Sequence, residues 1–131
     1  MSRYVRHFTV EEANALLPQL RAWLAELRRL DRRLLPLGRT HAALLEARDQ
    51  YNVGGRELSD YLALSIRWQT ILATALSTGV QIKDLDRGLC DFPHRRHDGG
   101  EVLLCWQASE PSVGYWHGVD DGFAGRQPLA P

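Results

Sequence analysis

The sequence predicts an α+β protein, a long antiparallel helical hairpin followed by a small antiparallel β-meander. Three observations predict it. Apolar residues recur every three or four positions through the first half of the chain. A short loop, "NVGG" at 52–55, divides that half in two. After Gly79 the period drops to two, in short runs rich in aromatic and branched residues. The 131 residues fit one domain, 1–131, with the hairpin in 1–79 and the meander and tail in 80–131.

The first helix opens at "FTVEEANALLPQL". Thr9 can cap it, and Glu12 three residues later completes a capping box. Leu16, Leu20, Trp23, Leu27, Leu30 and Leu34 then trace a helical stripe. Pro18 kinks this helix or marks its effective start. Pro36 and Gly38 either end it, with Thr40 capping a second segment, or bend it on the way to about Tyr51. "RELSDYLALSIRWQTILATALSTG" is the next long helix, with Leu58, Leu62, Ser65, Trp68, Leu72, Ala75 and Leu76 on one face and Gly79 as C-terminal cap. The lengths do not match: ~63 Å if the first region is continuous, against ~33 Å. The second helix therefore covers only the far half of the first. The stripe from Leu16 to Leu34 needs another partner, the rest of the chain or a second subunit.

"VQIKD", "GLCDF", "EVLLCW" and "SVGYWH" read as strands, with "HRRHDGG" and "QASEP" as turns and "GFAGRQPLAP" as a tail. In a flat meander His94, His97 and His117 fall at one end of the sheet. Asp84, Asp86 and Glu110 fall at the other, near Trp106.

Composition narrows the function. Formal net charge is zero, which removes a global electrostatic case for nucleic acid. Arg28, Arg29, Arg32 and Arg33 form a basic band, read as a solvated face. Ten arginines face six carboxylates in 1–56, and five basic groups face eight acidic ones in 79–131, so the two ends attract each other within one chain or between two. No apolar run approaches the ~18 residues of a membrane span, and the start lacks the pattern of a signal peptide. Cys90 and Cys105 read as buried reduced thiols, which places the protein in the cytoplasm, with a disulfide between them as the lesser alternative.

Three readings fit "HRRH". His94 and His97, with His117 across the sheet, could hold a divalent metal such as zinc, although Arg95 and Arg96 oppose a cation. Arg95, Arg96 and Arg126 with a histidine could bind a small anion. The third reading is a solvated turn. At the opposite end Asp86 and Glu110 could share acid and base roles, but no serine or cysteine stands in a nucleophile pattern.

"FTVEEANALLP", "VQIKDLDRGLCDFP", "LLCW", "YWH" and "GFAGRQP" together resemble a bacterial domain-of-unknown-function family, number 2203. The resemblance covers nearly the whole chain. It implies a small cytoplasmic bacterial protein with a long helical hairpin and a C-terminal β region, and it implies no activity. Asp84, Gly88, Leu89, Asp91, Phe92, Trp106, Glu110, Trp116, His117, Gly122, Phe123, Gly125 and Arg126 match its pattern. Ser109, Cys90 and Pro36 depart from it, and His94 and His97 fall in a stretch the resemblance leaves variable.

Two functions compete on this reading. The first is a non-enzymatic binding or protein-interaction module, expected as a homo-oligomer. The second is a small hydrolase or a metal- or anion-binding enzyme, with ligand-binding candidates Asp91, Glu110, Trp116, His117 and Arg126. An open pocket lined by these side chains favours the enzyme. Burial and mutual pairing count against it, with Arg126 locking the tail onto Asp91 or Glu110.

Overall fold

The computed structural model describes residue 4 and residues 6–47 and 55–129, and excludes the side chains of 38–47 and 57. Helix α1 spans Val10–Ala47 and α2 spans Gly55–Ser77. Strands β1 (Gln81–Asp84), β2 (Leu89–Arg95), β3 (Glu101–Trp106), β4 (Tyr115–Gly118) and β5 (Gln127–Pro128) follow. They form one antiparallel sheet in chain order. The start of the loop expected at 52–55 lies outside the described residues, and Gly55 already belongs to α2.

The capping box forms as expected. Thr9 N–H donates to Glu12 Oε1 at 2.8 Å, and Glu12 N–H donates to Thr9 Oγ1 at 3.0 Å. Both Pro18 and Pro36 lie inside α1, which continues to Ala47. Of the two readings at Pro36, the continuous helix is the one found.

Among the described side chains of α1, the buried apolar ones are Ala13, Leu17, Leu20, Leu24, Leu27 and Leu30. The predicted stripe is turned by one residue at two places. Leu16 and Trp23 lie half-buried on the flank, and their neighbours Leu17 and Leu24 point inward. A sheet needs a wider apolar face than a single helix seam does, so both members of each pair touch the core. Ala13 to Leu24 pack with Phe8, Phe92, Leu104 and Trp106 in one cluster. The partner missing from the first half of α1 is thus the chain's own sheet.

α2 pairs with α1 farther along, where Glu26 receives Arg29 at 2.7 Å and Arg67 at 3.0 Å. The Arg29 hydrogen bond, helped by Arg67, holds the Glu26 carboxyl down at about 2, against 4.5 normally. A carboxyl depressed in the folded state contributes stability above its unfolded value, and loses it as pH falls through the folded one. Urea stability is therefore expected to drop as pH falls from about 5 through about 2, and Glu26→Gln to shrink that drop. An equal drop in wild type and variant would contradict this role.

The sheet is longer than expected at both ends. His94 and Arg95 belong to β2 and not to the following loop. Pro93 fits there because β1 stops pairing at Asp91, and the segment before α1 takes over: Phe8 N–H donates to Pro93 O at 2.6 Å. The supposed tail folds back as a 3₁₀ turn, Phe123–Gly125, and the edge strand β5. Gly88 turns β1 into β2 with φ +65°, and a Cβ there would meet the Ala108 Cβ at 2.6 Å. Gly88→Ala is expected to cost about 1–2 kcal/mol from the left-handed backbone alone, and more from the collision. Thermal unfolding checks this, and an unchanged midpoint would refute it.

Candidate functional site

In a β-strand successive side chains point to opposite faces. Cys90, Phe92 and His94 of β2 therefore share the face that packs on α1, with Leu104 and Trp106 of β3. Asp91 and Pro93 share the outer face with Leu103, Cys105 and His117. This parity decides which predicted residues meet.

His94, His97 and His117 do not form one site. His94 lies on the helix side, where its Nδ1–H donates to Phe8 O at 2.7 Å. His97 is exposed in the turn. His117 is on the outer face, 2% exposed. The flat meander put the three at one end of the sheet but ignored the pleat.

His117 instead meets Asp91. Asp91 comes from β2, and Cys105 stands directly opposite it on β3. His117 comes from β4, opposite Leu103 and one step along the same face. One ligand-type atom from each of these three side chains lies within 4.8 Å of the other two. All three side chains are buried. His117 Nδ1 lies 2.7 Å from Gly118 O, and a carbonyl can only accept, so Nδ1 carries a proton. His117 Nε2 faces Asp91 Oδ2 at 3.1 Å. That contact requires one further proton, held by one group or the other. Asp91 Oδ1 is buried with no partner. A cavity of ≈ 230 Å³ opens over the pair, lined by Lys83, Leu89, Asp91, Leu103, His117, Val119, Gly122 and Phe123.

Glu110 and Arg126 form a second, half-buried group. Arg126 donates to Glu110 Oε2 at 2.6 Å, and Gln107 N–H donates to Glu110 Oε1 at 3.0 Å. The Glu110 carbonyl accepts from Trp106 Nε1 at 3.0 Å and from Arg21 at 2.6 Å. Of the two partners open to Arg126, Glu110 is the one it takes. Its guanidinium also lies over the rings of Tyr115, at 3.7 Å, and Phe123, at 4.7 Å. Both Glu110 carboxylate oxygens are committed, and Asp86 is exposed, so the expected Asp86–Glu110 acid–base pair is not assembled.

Trp116 belongs to a third place. It is half-buried, with Arg96 stacked over its ring at 4.5 Å. It lines a cleft of ≈ 630 Å³ at the start of α1, with Thr9, Glu11, His94, Arg95, Arg96 and His97. Arg126 is absent from this lining, so the three arginines of the expected anion site do not converge.

Sequence reasoning named Asp91 and His117 but missed Cys105, which it read only as a buried thiol. The available signal was "DGG". An Asp-Gly turn centred near Asp98 sets the β2–β3 register, and that register puts Asp91 opposite Cys105.

The fold and site define a class: a long helical hairpin carrying a five-stranded antiparallel meander, with a buried Asp–Cys–His cluster on the sheet's outer face. Residues 6–129 match the family of uncharacterized conserved proteins defined by domain of unknown function 2203, and the chain belongs to that family. No curated protein and no solved structure matches it.

Proposed function

We propose that the protein is a non-enzymatic interaction module that self-associates through the outer face of α2. One observation carries this reading: that face is apolar and nearly uncharged. Between Tyr61 and Gly79 the only charged residue is Arg67, and it is paired with Glu26. Leu62 and Leu76, expected on the face with Trp68 and Ala75, instead turn outward with Ile66, Gln69 and Ala73 on a stripe spaced four and three residues apart. Leu62 is 49% exposed, Ile66 62% and Leu76 43%. A solvated helix in a protein with 24% charged residues carries charges on such a face.

A second copy of the chain is the occupant that this chemistry suits. A twofold interface sets each residue near its own copy, so like charges on it repel. This face avoids that cost. Its hydroxyls are also already satisfied: Thr70 donates to Ile66 O at 2.8 Å, Thr74 to Thr70 O at 2.9 Å, and Ser77 to Thr74 O at 2.6 Å. Burial therefore leaves none of them unpaired. Two hairpins stacked this way make a four-helix bundle.

The charged candidates support a binding role over a catalytic one. Asp91 and His117 pair with each other, as do Glu110 and Arg126. Burial pushes the Cys90 and Cys105 thiols up to about 12, which keeps them from acting as nucleophiles at neutral pH. Both cysteines are free and buried, and their opposite facings forbid a disulfide between them, which fits the reducing cytoplasm of a bacterium. Among the described residues no helix is long and apolar enough to cross a membrane.

Sedimentation of the purified chain at micromolar concentration tests the proposal. A dimer is expected, and Ile66→Glu with Leu62→Glu is expected to give a folded monomer. A wild type that stays monomeric across concentrations overturns it, as does a double variant that remains dimeric.

A further inference from the structure

We propose that Asp91, Cys105 and His117 bind a divalent metal ion of the zinc class. The three central strands each supply one ligand: a carboxylate from β2, a sulfur from β3 and an imidazole nitrogen from β4. Their donor atoms lie within 4.8 Å of one another. Tetrahedral zinc, with bonds of about 2.0–2.3 Å, separates its ligands by roughly 3.3–3.8 Å. Small rotations of the side chains close that difference.

Two details point to an ion beyond mere proximity. The Gly118 carbonyl takes Nδ1–H of His117, which leaves Nε2 to donate its lone pair to a metal. This backbone hydrogen bond behind the ring is the usual support of a ligating histidine. Asp91 Oδ1 is the second detail. The Asp91 side chain is 5% exposed, and this oxygen has no partner. Buried carboxylate oxygens are ordinarily satisfied, and a cation between Asp91 and His117 would satisfy this one.

Charge and ligand type select the ion. A dication with one carboxylate, one thiolate and a neutral imidazole makes a centre of zero net charge. Such a centre avoids the penalty of a buried net charge, and it tolerates Lys83 at the cavity rim. Calcium and magnesium require several oxygen ligands, and this cluster has one carboxylate. Thiolate with imidazole suits zinc and its cobalt substitute. On binding, the Cys105 thiol proton and the proton shared by His117 and Asp91 leave to solvent, and the ion takes their places. The ≈ 230 Å³ cavity offers room for a water as fourth ligand. The α2 face has no part in this argument.

The test is cobalt(II) titration of the full chain after treatment with a chelator. One equivalent is expected to produce a thiolate-to-cobalt charge-transfer band and the strong visible bands of four-coordinate cobalt, both erased by zinc. Cys105→Ser is expected to lose the charge-transfer band, and Asp91→Asn to weaken binding at least about tenfold. Cys90→Ser, whose thiol is on the opposite face, is expected to keep the band. Should Cys105→Ser not fold, the wild type and Cys90→Ser decide, because the chain has two cysteines. A band in both assigns the thiolate to Cys105. No band in folded wild type overturns the proposal, and so does a band that survives in Cys105→Ser or vanishes in Cys90→Ser.

Discussion

Trp106→Ala is expected to destabilise the protein by about 3–5 kcal/mol, the usual cost of emptying a large aromatic site in a core. Trp106 is 0% exposed and ends β3 inside the main cluster, with Leu20, Leu24, Phe92 and Leu104. The indole does more than fill space. Its Nε1–H donates to Glu110 O, and Arg21 lies over its ring at 4.9 Å. Arg21 in turn donates to the carbonyls of Ala108 and Glu110, both at 2.6 Å. Removing the ring thus loosens α1, the turn after β3 and the Glu110–Arg126 pair together. Trp106→Phe keeps much of the volume and loses the hydrogen bond, so it is expected to cost less, about 1–3 kcal/mol. Urea unfolding of the three proteins checks the order. Equal midpoints for wild type and Trp106→Ala would sink this account of the core.

His117→Ala is expected to cost about 3–5 kcal/mol, measured with chelator present. The pair is closed to solvent, with side-chain exposures of 3% and 5%. Deleting the imidazole removes the partner of Asp91 Oδ2 and leaves the buried carboxylate only the neighbouring Cys105 thiol. The loss of a buried partner, and not the net worth of the pair, sets this magnitude. The double variant Asp91→Ala with His117→Ala removes the stranded group as well. It is expected to be more stable than the sum of the two single losses, with a coupling of about 0.5–3 kcal/mol. Strict additivity would show that the two side chains do not depend on each other.

The site lay partly in view from the residues. Asp91, Glu110, Trp116, His117 and Arg126 stand out as polar or aromatic groups beside short strands. How they combine depends on parity. Asp91 and Cys90 are neighbours in the chain, yet one faces the outer cavity and the other the helix. The same rule separates His94 from His117 and Trp116 from Tyr115. Arg96 stacks on Trp116 and Arg126 on Tyr115, so two arginines grouped by residue type serve opposite faces. The leucine stripe on α1 shows a smaller error of the same kind. Leu16 and Leu17 are equally apolar, and only the sheet's position decides which is sealed.

By itself the sequence determined the two helices and the first four strands, in their order, and read the 3₁₀ turn and β5 as a tail. Helical and strand periods, the Thr9–Glu12 cap, Gly79 and the turn residues are local signals, and each acts within about one turn of chain. It also identified the length mismatch that left half of α1 in need of cover. The tertiary structure alone decided what provides that cover, which carboxylate Arg126 takes, and that Asp91, Cys105 and His117 share one buried place. The physical reason is that these contacts join residues far apart in the chain, from Cys105 and His117 within the sheet to Leu20 of α1 and Trp106 of β3. Their meeting depends on register and on the two-residue pleat, and a shift of one residue sends every side chain to the other face.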